Sequence, residues 1–162
     1  MKIRNLIILL FIFFSSSIVS LSDELDFDAD KIDIKNDGNY IIAQNVSLSI
    51  PSKNILLKSN TAEYDKLKNI IILLNNVLFL DQKNSLEIKS DEIVYERNNG
   101  TFFSKGNTKI KIENKYTLKS KNIFFDRNSQ TIYGSEKAII EDFEGNLYKL
   151  NDKFKFDNIN KI

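Results

Sequence analysis

Several positions recur in register along this chain, and that register restricts the fold more than anything else in the sequence. Lys58-Ser59, Lys89-Ser90 and Lys119-Ser120 are spaced by 31 and 30 residues, and Lys149 follows after another 30. Tyr64, Tyr95 and Phe125 keep the same steps, and so do Val46, Val77, Thr108 and Ala138. Asn45, Asn76, Asn107 and Lys137 stand immediately before that last set, so a polar residue precedes each member. A period of about 20–50 residues marks a stack of like supersecondary units. Within a unit, apolar and polar residues alternate, as in half-buried strands. The run Leu86 to Glu113 shows this best: two alternating segments joined by the polar turn Arg97-Asn98-Asn99-Gly100.

The unit is therefore a β-hairpin, and the chain an all-β stack of about five 30-residue hairpin repeats, solenoid-like in its periodicity. Ala29 to Ile34 with Tyr40 to Ile50 forms the first hairpin, and Ile55 to Tyr64 with Asn69 to Leu80 the second. Leu86 to Glu113 is the third and Tyr116 to Glu141 the fourth, while Asn146 to Asp157 begins a fifth. Asn36-Asp37-Gly38-Asn39 and Pro51-Ser52-Lys53-Asn54 supply turn chemistry between the runs.

The phase of the alternation shows that the strands bend. The apolar set is Ile55 and Leu57, then Ala62 and Tyr64; it is Leu86 and Ile88, then Ile93 and Tyr95; it is Tyr116 and Leu118, then Ile123 and Phe125. Each time the parity changes beside the Lys-Ser pair. A period-2 strand changes face only through an extra residue, which implies a bulge or a corner. The other strand of each hairpin reads the same way: Ile41 and Ala43 then Val46, Leu48 and Ile50, and Ile72 and Leu74 then Val77 and Phe79. Asn75-Asn76 and Gly106-Asn107 sit at these changes, where a bend needs permissive backbone. The expected architecture is a bent-strand β-jellyroll, its long strands wrapped around a shared interior.

The N-terminus has a separate reading. Lys2 and Arg4 precede the apolar run Leu6 to Phe14, and Ser15 to Ser22 is rich in small residues. This is the three-part pattern of a cleaved secretory signal peptide, which places residues 1–22 in a leader and 23–162 in one domain. The apolar run falls short of the about 20 residues that span a bilayer. Removing Lys2 and Arg4 takes the formal charge from +1 to −1. Neither value creates a field that would attract nucleic acid.

Catalytic chemistry is poorly provided for. The chain has no His and no Cys, which removes the usual general base, the thiol nucleophile and the commonest metal ligands. The acidic pairs Asp91-Glu92 and Glu141-Asp142 read as solvated strand faces and turns. Ser59, Ser90 and Ser120 read as corner residues, since no elbow motif surrounds them. No enzyme activity and no cofactor are expected.

The inward apolar residues admit two readings. They fill a dry core, or they line a groove for acyl chains, because strand-lined interiors do hold apolar ligands. The groove candidates are Ile72, Leu74, Val77, Phe79, Tyr95, Phe103, Ile110, Ile112 and Phe125. An open stack also leaves unpaired strands at its ends. The run Leu147 to Asp157 carries no Pro and no capping helix, so that edge is expected to pair with another protein or to continue in a longer parent, and strand addition is its natural mode.

The segment Phe27-Asp28-Ala29-Asp30-Lys31-Ile32, the bends at Asn75-Asn76-Val77 and Gly106-Asn107-Thr108, and the ending Glu144-Gly145-Asn146-Leu147-Tyr148-Lys149-Leu150 resemble the OstA-like (LptA-like) periplasmic β-jellyroll domain of lipopolysaccharide transport. The resemblance extends from Leu25 to the C-terminus. That domain occurs in a free periplasmic bridge protein and at the N-terminus of an outer-membrane translocon, and the ending here is similar to both. The resemblance implies a V-shaped jellyroll in the periplasm, outer-membrane associated in the translocon case, that binds lipopolysaccharide with acyl chains inside and sugars outside. It implies homologous β-jellyroll partners joined by edge-strand pairing, head-to-tail self-association, and no catalytic residues.

Overall fold

The computed structural model describes residues 24–157, so the leader reading of residues 1–22 lies outside the described residues. Thirteen strands follow one another: β1 (Asp26–Asp28), β2 (Lys31–Lys35), β3 (Tyr40–Ile50), β4 (Ile55–Asp65), β5 (Ile70–Asp81), β6 (Leu86–Glu96), β7 (Thr101–Ile112), β8 (Tyr116–Lys121), β9 (Phe124–Asp126), β10 (Thr131–Gly134), β11 (Ala138–Asp142), β12 (Leu147–Leu150) and β13 (Phe154–Asp157). All belong to one antiparallel sheet, in which β3 to β7 pair consecutively.

The five long strands bend in the middle, and the bends line up across the sheet. Asn45, Asn75, Asn76 and Gly106 lie there with positive φ of 51°, 62°, 54° and 78°. Asparagine and glycine tolerate this left-handed backbone far better than β-branched residues do. The line of bends divides the sheet into two walls. One wall runs from β1 through the turn-proximal halves of β3 to β7 (residues 46–50, 55–59, 77–81, 86–90 and 107–112) to β8, β11 and β12. The other runs from β2 through the remaining halves to β9, β10 and β13. The walls fold against each other: the Phe79 ring of the first meets the Phe102 ring of the second at 4.0 Å between centroids, and Tyr116 meets Phe156 at 5.9 Å.

Two expectations about the strands require correction. In β4 and β6 the parity changes as anticipated: Leu57 and Ser59 give way to Ala62 and Tyr64, and Ile88 and Ser90 to Ile93 and Tyr95, all inward. In β5 and β7 it does not. The inward set of β5 is Ile71, Leu73, Val77 and Phe79, and that of β7 is Phe102, Ser104, Thr108, Ile110 and Ile112. Between Leu74 and Val77, β5 spends two residues where β6 spends one, and β7 does the same at Gly106-Asn107. A one-residue insertion swaps the faces, whereas a two-residue insertion restores them. The second correction concerns the fourth unit. Its strands are broken at the bend rather than bent, so that β8 and β9 are separate, as are β10 and β11.

Candidate functional site

The space between the walls is the first candidate site. Val77, Phe79, Tyr95, Ile110, Ile112 and Phe125 all point into it and are buried. Phe79, Tyr95, Phe102 and Phe125 form a connected aromatic cluster spanning both walls, in which Tyr95 and Phe102 stack at 4.3 Å. The other three groove candidates lie elsewhere. Ile72 and Leu74 face outward and are partly exposed, and Phe103 faces outward and is 38 % exposed. The cause is the two-residue insertion in β5 and β7. In the uninterrupted apolar runs Ile70 to Leu74 and Phe102-Phe103 alternation cannot choose a face, and strand pairing does. Tyr64 lies opposite Ile71 and Ala62 opposite Leu73, so Ile71 and Leu73 share their inward side. Phe102 is likewise set by Tyr95. Ile71, Leu73 and Phe102 are the inward residues that alternation missed.

The middle of this interior is nearly full. A void there, between Ile88, Phe102, Ile110 and Phe125, measures about 10 Å³, no more than the lower end of the ~10–15 Å³ a water molecule needs. Contacts between turns close the mouth opposite the bend. The Arg127 side chain donates to Asp81 Oδ2 at 2.6 Å and to the Lys53 carbonyl at 2.7 Å. Asp81 is fully buried. Its Oδ2 also accepts from the Asn84 amide at 2.6 Å, and Arg97 donates to the Tyr64 hydroxyl at 2.7 Å and to Asn69 Oδ1 at 2.8 Å. The ends are less sealed. Leu25, Phe27, Ala29 and Ile41 pack partly buried on the core at one end, and Tyr116, Leu150 and Phe154 at the other. Both ends finish in edge strands: β1 and β2 first, β12 and β13 last. Ile34 on β2 and Leu147 on β12 are more than 60 % exposed.

At the bend the serines serve the backbone. Ser59 donates to the Thr61 carbonyl, Ser90 to that of Lys105 and Ser120 to that of Lys137. Ser104 ties the broken β8–β9 strand into the sheet: its backbone N–H donates to the Ile123 carbonyl at 2.8 Å, and its hydroxyl accepts from the Ile123 N–H at 3.0 Å. Among the described residues no three His, Cys, Asp or Glu side chains converge as a metal site, and no helix is long and apolar enough to cross a membrane.

Known proteins resemble this one in structure. No family model matches the chain and no curated protein matches it in sequence. Among solved structures, it matches LptH from Pseudomonas aeruginosa, described as the LptA-homologous periplasmic component of the conserved lipopolysaccharide transport device. The TM-score is 0.62 at 12 % identity, over 79 % of this chain and 94 % of that one. The chain thus has the LptA-like β-jellyroll fold.

Proposed function

We propose that this protein is a non-enzymatic periplasmic carrier that binds lipopolysaccharide between its two walls and passes it towards the outer membrane. One observation carries the reading: an apolar interior runs between two half-sheets from one end of the stack to the other, and both ends finish in unpaired strands. Such ends suit head-to-tail joining with homologous jellyrolls of an inner-membrane or outer-membrane transport component, through main-chain hydrogen bonds. The LptH-like fold supports the same reading. Because the middle of the interior is packed, acyl chains enter by parting the walls. The half beyond β7 suits this best, since there the walls are joined by loops rather than by continuous strands.

The packed middle also favours a rival, an exported β-repeat whose interior stays dry. A photo-crosslinking residue at position 79 or 110, introduced in cells, separates the two. The carrier gives a lipopolysaccharide adduct at these positions. A folded protein with no adduct there, nor at positions 116 and 118, is the dry repeat.

A further inference from the structure

The Lys-Ser register acquires a meaning in the structure that the interior does not use. Strand pairing sets the repeated lysines side by side on the outer face of the first wall. Lys58 lies opposite Leu78, Leu78 opposite Lys89, Lys89 opposite Lys109, and Lys109 opposite Lys119. Lys119 lies opposite Ile139, and Ile139 opposite Lys149. Three consecutive strands thus place a lysine at one level. Directly opposed like charges in a sheet are destabilising, and adjacent strands are only about 4.8 Å apart. Just beside this row, next to the bend, Lys121 lies opposite Asn107.

The row borders an open cleft of about 1030 Å³ that runs along the outside of the bend. Lys89, Lys109, Lys119, Lys121 and Lys137 line it, against only two carboxylates, Asp91 and Glu136. Both carboxylates are engaged locally: Asp91 accepts from the Asn107 N–H at 2.9 Å and Glu136 from the Asn122 amide at 2.5 Å. Lys89 and Lys119 have exposed ion pairs with Glu87 and Glu141 at 3.5 and 3.7 Å. Exposed pairs of this kind contribute little. Among the described residues Lys109, Lys121 and Lys137 have no ion-pair partner, and Asn76, Asn107 and Asn151 bring exposed amides to the same cleft. The site therefore offers ammonium groups for anions and amides for hydroxyl groups, over a floor that includes Leu78.

We infer that this outer cleft is a second binding site, one that holds a phosphorylated saccharide. Charge-assisted hydrogen bonds to phosphate are among the stronger polar contacts. Most of the cleft is built on strands whose main chain is already paired, so strand addition by a protein has little purchase there. The inference adds to the carrier reading and borrows from it only the natural source of such a saccharide, a lipid head. The alternative source of the same chemistry is a free phosphorylated oligosaccharide.

The test uses the purified protein and fully deacylated lipopolysaccharide, which keeps phosphates and sugars but has no acyl chains. It binds, its affinity falls as salt rises, and neutral maltoheptaose does not bind. The triple variant Lys109→Gln, Lys121→Gln, Lys137→Gln, which alters only exposed side chains, weakens binding by about tenfold or more if charged hydrogen bonds hold the ligand. Protection of Lys109 and Lys137 from acetylation by intact lipopolysaccharide assigns the site to a lipid head, and protection by the deacylated form alone assigns it to a free saccharide. Unchanged affinity in a triple variant of unaltered circular dichroism, or protection by poly-glutamate alone, overturns the inference. An adduct at position 79 without saccharide binding ends this inference and leaves the carrier; saccharide binding without the adduct does the reverse.

Discussion

The stack is not uniform from end to end. In β3 to β7 each strand runs through the bend, so both walls are tied covalently at every step. From β8 onward the strands are broken, and the walls are joined through Asn122-Ile123, Ser135 to Lys137 and Asn151 to Lys153. Burial follows the same division. Most of the largest fully buried side chains lie in β3 to β7. The region beyond β8 exposes Phe124, Tyr133, Ile139, Phe143, Leu147 and Tyr148. A continuous strand moves only with both of its walls, whereas a broken one lets each wall move with its own neighbours. Local opening follows few buried contacts, so the C-terminal half is where this jellyroll can open while the rest stays folded.

Phe79→Ala removes a ring from the middle of the aromatic cluster and is expected to cost about 3–5 kcal/mol, the range for such truncations. It lowers the midpoint of chemical unfolding for the whole protein. Phe156→Ala, the same truncation in β13, costs less and acts locally, with faster amide exchange in β10 and β13 while β4 to β6 keep their protection. Equal, global effects of the two substitutions would mean that the continuous and broken halves unfold as one unit.

Arg127→Ala tests the contact by which the broken region holds the continuous one. Arg127 lies in the turn after β9, and its partner Asp81 is buried at the end of β5. Removing one member of a buried pair leaves the other charge uncompensated, at a cost of about 3 kcal/mol. If the contact latches the mouth, the variant also gives more of the lipopolysaccharide adduct at position 79. Destabilisation with no gain in adduct makes Arg127 a purely structural residue.

The smallest effect concerns the edge. The Asp142 carboxylate lies below the usual carboxylate range, chiefly because the Asn146 side chain donates to it, with further bonds from the Asn146 and Glu144 N–H groups and the Tyr148 hydroxyl. A depressed carboxyl stabilises the fold above its unfolded value of about 3.9, and the contribution disappears as pH falls through the folded value. The β11–β12 turn therefore loosens on acidification below the usual carboxylate range, read as faster amide exchange at Leu147 and Tyr148. Asp142→Asn removes that pH response, and its persistence in the variant would assign it to another group.

Much of this was legible in the chain. The Lys-Ser register located the repeat and the bend, and the low-strain choices at the bend, Asn and Gly, marked where the backbone turns left-handed. The chain also showed bulged faces in β4 and β6, because polar residues interrupt their alternation. It could not choose a face in Ile70 to Leu74 or at Phe102-Phe103, where every residue is apolar. There the number of residues spent at the bend decided, and that number is set by pairing with the neighbouring strand.

The sequence by itself determined a bent, all-β repeat, because a 30-residue register of alternating residues admits little else. Tertiary structure decided which apolar residues meet between the walls and that the middle is packed. It also decided that lysines 30 residues apart, together with Lys109 from the strand between, stand in one row. The reason is physical: periodicity is a property of single strands, while faces, voids and charge rows are properties of how strands pair.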